Sequence, residues 1–260
     1  MLTIFAMPRR FDGVFSLIQK NAITSWTRLR PICEIVLFGN EDGTAELARE
    51  FGLRHVPSVV CNSYGTPLVN DLFEQAERVA AGKFLAYVNA DIILMSDFME
   101  AVQRVAQVCE RFLLVGQRRN IDLTEPINFN EEWEGRYRQL AFNTGKLYPG
   151  IDYFVYPATL WGKIPQFALG RYYWDNWFLY AARLRKAPVI DATQRVLALH
   201  QNHPVREELI DGPESKDNLM LIGGGYNLFT TYDATHQLTG SGVVSRCRSC
   251  YPVCTCKFPM

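Results

Sequence analysis

The chain has 260 residues, 48% hydrophobic and 21% charged, which excludes global disorder and leaves ample material for a core. Lys plus Arg and Asp plus Glu each number 27, and the halves are balanced too, with 13 basic against 15 acidic residues up to position 130 and 14 against 12 beyond. Nothing in the bulk charge supplies the positive face that a nucleic-acid backbone needs, and the apolar runs at 84–88 and 92–95 fall far short of the roughly 20 residues that cross a membrane.

The first 115 residues alternate between two periods. Leu2–Ala6 reads as a short strand, and apolar positions 15, 18, 22, 26 and 29 then mark a helix over 14–29. Glu34–Phe38 is a continuous apolar strand running into Gly39. Residues 44–51 form a helix that Gly52 closes as its C′ glycine. A strand is predicted over 55–60. Asp71 and Glu74 are read as a capping pair for a helix that ends by Gly82. Phe84–Val88 is another buried strand, 96–112 a helix and 113–116 a strand. Strands apolar on both faces, separated by amphipathic helices, predict an α/β fold with a mostly parallel central sheet in a three-layer α/β/α sandwich.

The second half differs in texture. Residues 133–180 hold fifteen of the 33 aromatics. Helix returns over 174–186, strands are predicted over 189–190 and 196–199, the latter ending in His200, and 201–218 reads as a polar loop. Gly223-Gly224-Gly225 follows no strand-helix unit and reads as a turn. One domain is expected over 1–240, with a Cys-rich tail over 241–260. In that tail Cys247, Cys250, Cys254 and Cys256 could hold zinc, although the one-residue gap between the last two is poor ligand spacing, and a reactive unstructured tail competes with that reading. Cys33, Cys61 and Cys109 read as small core residues. With no basic n-region or apolar h-region at Met1–Met7, the expected location is the cytoplasm, where thiols stay reduced.

A parallel sheet binds ligands beyond the carboxyl ends of its strands. Those ends carry Pro8-Arg9-Arg10-Phe11, Gly39-Asn40-Glu41-Asp42-Gly43 and Asn89-Ala90-Asp91. Neither a G-x-G-x-x-G fingerprint nor a P-loop stands at any of these junctions. Phosphate is therefore expected on a metal held by a carboxylate, and Asp91 is the natural holder of Mg2+ or Mn2+. Alone, Asp91 could simply cap a turn. Further along, however, Trp174-Asp175-Asn176-Trp177 opens a helix and His200-Gln201-Asn202-His203 ends a strand.

In this order the features resemble the inverting GT-A-fold glycosyltransferases, the nucleotide-diphospho-sugar transferase superfamily. The stretches that carry the resemblance are Gln19-Lys20-Asn21-Ala22-Ile23-Thr24-Ser25-Trp26, Tyr87-Val88-Asn89-Ala90-Asp91-Ile92-Ile93-Leu94, Gly150-Ile151-Asp152-Tyr153-Phe154 and Gly170-Arg171-Tyr172-Tyr173-Trp174-Asp175-Asn176-Trp177, and coverage runs from about residue 2 to 236. One departure stands out: the usual metal motif is D-x-D, and this chain has Asn89 in the first place, a neutral dipole where the motif has an acid.

The resemblance implies a nucleotide-sugar donor bound by the half 1–115 and a glycan or other hydroxyl acceptor bound by the half 116–240. It places Pro8, Arg9, Glu41, Asn70, Asn89 and Asp91 at the donor, and a Mn2+ or Mg2+ ion on Asp91 and His200, with His203 the competing ligand. Asp175 is expected to be the base, because inversion needs one group to take the acceptor proton, and its helix-start position is expected to keep its pKa low. Asp152 competes for that role or binds acceptor hydroxyls beside Tyr153 and Trp174. A sugar-phosphate nucleotidyltransferase and a non-catalytic nucleotide-sugar or glycan binder on the same fold are the alternatives. The former carries a Gly-rich basic loop after the first strand, which Met7-Pro8-Arg9-Arg10-Phe11-Asp12-Gly13 does not match.

Overall fold

A computed structural model describes residues 1–204 and 212–246, so the four tail cysteines lie outside the described residues. The first half runs β1 (Leu2–Ala6), α1 (Gly13–Thr27), β2 (Glu34–Phe38), α2 (Thr44–Phe51), β3 (Arg54–Val56), α3 (Val69–Val79), β4 (Phe84–Val88), β5 (Ile92–Ile93), α4 (Ser96–Val108) and β6 (Leu113–Val115). There follow β7 (Gln117–Ile121), α5 (Trp133–Asn143), β8 (Lys146–Ile151), β9 (Tyr153–Pro157), α6 (Trp174–Leu184), β10 (Val189–Asp191), β11 (Ala198–Gln201), α7 (Pro213–Leu221), β12 (His236–Thr239) and β13 (Gly242–Ser245).

Nine strands form the central sheet in the order β13-β12-β10-β6-β9-β4-β1-β2-β3. It is mostly parallel: only β9, against β4 and β6, and β13, against β12, run antiparallel. Side chains alternate along each strand into two separate cores. Leu2, Ile4, Ala6, Ile35, Leu37, Ala86 and Val88 face α1, α2 and α4, packing with Trp26, Leu47 and Phe98. Phe5, Val36, Phe38, Leu85 and Tyr87 face α3 and α6, packing with Phe73 and Phe178. Burial on both faces is why these strands read as unbroken apolar runs rather than as alternating ones. The result is the three-layer α/β/α sandwich expected from the sequence. No helix among the described residues is long and apolar enough to cross a membrane.

A second sheet, β5-β11-β7-β8, stands beside the first; β11 answers to the strand expected over 196–199, while β5, β7 and β8 are what the sequence pattern missed. Its strands carry Arg118, Arg119, Asn120 and His200, polar residues that hide the two-residue period. Three predicted elements change. The strand expected over 55–60 stops at Val56. The helix expected over 96–112 ends at Val108, where Cys109 turns extended. Part of the expected loop 201–218 is helix α7, started by Pro213 in its first turn. Asp71 does not pair with Glu74 as a cap either: it accepts from Val60 N–H at 2.7 Å and Gln75 Nε2 at 2.6 Å, tying the preceding loop to α3. Only Cys33 of the three described cysteines is buried, and burial pushes its thiol up to about 11; Cys61 is exposed and Cys109 half-buried. Gly223 and Gly224, both at positive φ, form the expected turn.

Candidate active site

The carboxyl ends of β1, β2 and β4 open on one edge of the main sheet, and the loops there are fastened by α1. That helix buries three polar side chains, Gln19, Asn21 and Ser25, within its apolar stripe. Gln19 grips the loop after β1 at both ends of one residue: Arg9 N–H donates to its Oε1 at 2.6 Å and its Nε2 donates to Arg9 O at 2.9 Å. Asn21 donates to Gln201 Oε1 (2.9 Å) and accepts from Ile127 N–H (2.9 Å), while Gln201 Nε2 donates to Ile18 O and Asp91 O. Ser25 Oγ accepts from Leu94 N–H and Trp26 Nε1 donates to Ile92 O. One helix, directly and through Gln201, therefore fixes the backbone from Asp91 to Leu94, since buried polar groups hold their positions by the cost of leaving them unpaired.

Beyond β4, Asn89 and Asp91 point to different partners. Tyr87 Oη donates to Asn89 Oδ1 (2.9 Å), and Asn89 Nδ2 donates to Asp152 Oδ1 (2.6 Å). Arg118, from β7, closes the chain with hydrogen bonds to both Asp152 oxygens at 2.8 and 2.9 Å, its guanidinium 4.7 Å from the centre of the Tyr148 ring. Asp91 turns instead to β11. Its Oδ2 lies 3.4 Å from His200 Nε2 and 3.2 Å from His203 Nε2. Burial alone would raise the Asp91 pKa, but hydrogen bonds from the two imidazoles outweigh it and hold the carboxyl well below its usual range.

Asp91, His200 and His203 each present a ligand atom, all within 4.8 Å of one another. Asp91 Oδ1 and His200 Nδ1 are buried with no hydrogen-bond partner among the described residues. Two imidazole nitrogens facing a carboxylate whose second oxygen is left unpartnered fit a divalent cation.

Asp175 is the second residue of α6, after Tyr173, which adopts φ +83° at the helix start. Burial pushes its carboxyl up to about 6, although it accepts the backbone N–H of Asn176; the neighbouring Asp152 carboxylate raises it further and Arg118 lowers it. The helix start does not keep this pKa low, as the sequence suggested, because desolvation outweighs the local N–H groups. Tyr87 links the whole edge. Its hydroxyl, raised in pKa chiefly by burial, feels the charges of Asp91, Asp152, Arg9 and Asp175.

No protein-family model matches this chain, and no curated protein matches its sequence. Solved structures do match in shape. S. aureus TarS 1–349 in complex with UDP-GlcNAc superposes with a TM-score of 0.57 at 12% identity, covering 85% of this chain and 65% of that one. Glucosyl-3-phosphoglycerate synthase from Mycobacterium tuberculosis, in complex with Mn2+, uridine diphosphate and phosphoglyceric acid, superposes with a TM-score of 0.53 at 15% identity, covering 86% and 79%. The fold is GT-A-like. The chain spans just under two thirds of the length of TarS 1–349.

On this GT-A-like frame the predicted residues fall into three groups. Arg9, Asn89, Asp91, Asp152 and Asp175 gather around Tyr87, and His200 meets Asp91 together with His203. Pro8 is buried and Glu41 exposed, in loops joined where Phe11 N–H donates to Asp42 O at 2.8 Å; Asn70 opens α3 with its Oδ1 buried and unpartnered among the described residues. Tyr153 and Trp174 belong to the cores. Tyr153 is fully buried edge-on against Phe98, so it has no surface to offer an acceptor, and Trp174, 5% exposed, packs on Tyr87 and Phe154. Both Asp152 oxygens are engaged, which makes it a holder of Arg118 and Asn89 rather than an open contact for hydroxyls. The sequence reading missed Arg118, Tyr87 and Gln201. Its available signal was polar residues standing on apolar stripes, at 19, 21 and 25 of α1 and at 118–120 in β7.

Proposed function

We propose that the protein is a glycosyltransferase that moves a sugar from a nucleoside-diphosphate-sugar donor to a hydroxyl of a glycan or other acceptor, with inversion. The observation that carries this reading is that Asp91, just beyond β4, meets His200 of β11 and His203 just after it, with Arg9 and Asp175 close enough for their charges to act on the neighbouring Tyr87. The donor nucleotide is assigned to the loops after β1 and β2, around Pro8, Arg9 and Glu41, with Asn70 beside it. A divalent ion on the Asp–His–His trio, when bound, neutralises negative charge on the leaving diphosphate.

Asp175 takes the acceptor hydroxyl proton as that oxygen bonds to the anomeric carbon. The bond from this carbon to the diphosphate oxygen breaks on the opposite face, and nucleoside diphosphate leaves with the electron pair. A carboxyl raised to about 6 suits this step, because a base works best with its pKa near the operating pH. Arg118 holds Asp152, and Asp152 holds Asn89 and faces Asp175 electrostatically, so the pair sets the field in which the base ionises.

Incubation with Mn2+ and a panel of nucleotide sugars tests the reading. Slow release of free nucleoside diphosphate is the expected result. Pyrophosphate exchange would instead indicate a sugar-phosphate nucleotidyltransferase, and silence across the panel a non-catalytic binder.

A further inference from the structure

Resting on the reading of Asp91, His200 and His203 as a cation site, we infer that the site selects imidazole-binding transition-metal ions and discriminates against Mg2+. The argument starts from which oxygens are free. In a D-x-D motif two carboxylates stand two residues apart. Here the first position is Asn89, and its amide oxygen already accepts the Tyr87 hydroxyl while its nitrogen is spent on Asp152. Asp152 cannot substitute, because Arg118 and Asn89 occupy both its oxygens. Among the described residues, the groups of His, Cys, Asp and Glu that can close on one ion therefore reduce to a single carboxylate and two imidazoles.

Both imidazoles are held in place. His200 sits inside β11, paired with Ile92 of β5 and Asn120 of β7, so its backbone is held from both sides. His203 packs on the Phe15 ring, centroids 5.1 Å apart, and its Nδ1 lies 3.0 Å from Pro204 O. A carbonyl accepts only, so Nδ1–H is given to Pro204 O, and Nε2, which donates to Asp91 when no ion is bound, is the atom that would release its proton to ligate one. Such outer-sphere carbonyls are how metal-binding histidines are oriented. Mg2+ is a hard ion that demands near-octahedral oxygen and sheds water reluctantly, whereas imidazole suits the borderline ions. Two nitrogens of three protein donors therefore weight the site toward Co2+, Ni2+ and Zn2+.

The test is binding of the metals alone to the full chain by calorimetry, with the thiols carboxamidomethylated so that the cysteines take no ion. Affinity is expected to rise from Mg2+ through Mn2+ and Co2+ to Ni2+, with Co2+ at least about tenfold tighter than Mg2+. Visible absorption of bound Co2+ should lose its histidine-dependent bands in His203→Gln. In His203→Asp, which restores a second carboxylate, the Co2+ to Mg2+ affinity ratio should fall by roughly tenfold or more; thermal melting of both variants confirms that they are folded. Equal affinity for Mg2+ and Co2+, or a ratio unmoved by His203→Asp, overturns the selectivity while leaving a cation site. Failure of every ion to bind overturns the cation site itself.

Discussion

Asn89 Nδ2 donates a 2.6 Å hydrogen bond to Asp152 Oδ1, and the backbone N–H of Asn89 donates to Asp152 O at 2.9 Å, so two strands of the central sheet are joined twice at the mouth of the site. The departure from D-x-D thus has a structural reason. An aspartate at 89 would set a carboxylate against the Asp152 carboxylate and would have no N–H to give it.

Asn89→Asp, which restores the motif, should accordingly destabilise the protein. The lost hydrogen bond and the new like-charge contact should cost about 1–3 kcal/mol, read from the midpoint of urea unfolding at pH 7.5. A variant as stable as the parent would show that the Asn89–Asp152 link is not needed.

Asp175→Asn keeps the shape of the side chain but removes its proton affinity. Turnover should drop by about 10²–10⁴, while calorimetric affinity for nucleoside diphosphate, assigned to the loops after β1 and β2, stays near the parent value. Turnover at the parent rate, or a product that retains the donor's anomeric configuration, would remove Asp175 from the role of base.

The raised Asp175 pKa has two pH signatures. Rate should fall as pH drops through about 6, because the base becomes protonated. Stability moves the other way. Between the ordinary 3.8 and about 6 the folded state holds a proton that the unfolded state has released, so stability decreases as pH rises through that window. Asp175→Asn should therefore melt higher than the parent above pH 6, with the advantage gone near pH 4.

Asp91→Ala should abolish metal-dependent binding of nucleoside diphosphate, and EDTA should reproduce the loss in the parent. Calorimetry with and without Mn2+ measures both, and equal affinity in EDTA would leave Asp91 only as the partner of His200 and His203.

Asn21→Ala strips a partner from Gln201 and from Ile127 N–H, both in a buried setting. Each orphaned group costs about 1–3 kcal/mol, and Gln201 also holds the Asp91 carbonyl. A lowered unfolding midpoint together with weakened metal binding is expected; a change in stability alone would confine Asn21 to the core.

Periodicity by itself determined the frame. Leu2–Ala6, Glu34–Phe38, Thr44–Phe51 and Phe84–Val88 are found at the residues expected from the sequence, because a strand buried on both faces must be apolar throughout and an αL glycine such as Gly52 marks where its helix stops. Candidate chemistry at strand ends, Arg9, Asp91 and His200, was legible for the same reason, because polar residues stand out where an apolar run ends, and Asp175 was legible as an acid at a helix start. What only the tertiary structure decided is how those groups meet. Asp91 and His203 are 112 positions apart, Asn89 and Asp152 63, and Asn21 and Gln201 180. No local pattern encodes such pairings, because they arise when β4, β9 and β11 are brought together by packing. The same holds for ionisation. A helix-start position argued for a low Asp175 pKa, yet burial prevailed, since desolvation depends on every element that covers a group and not on its own helix alone.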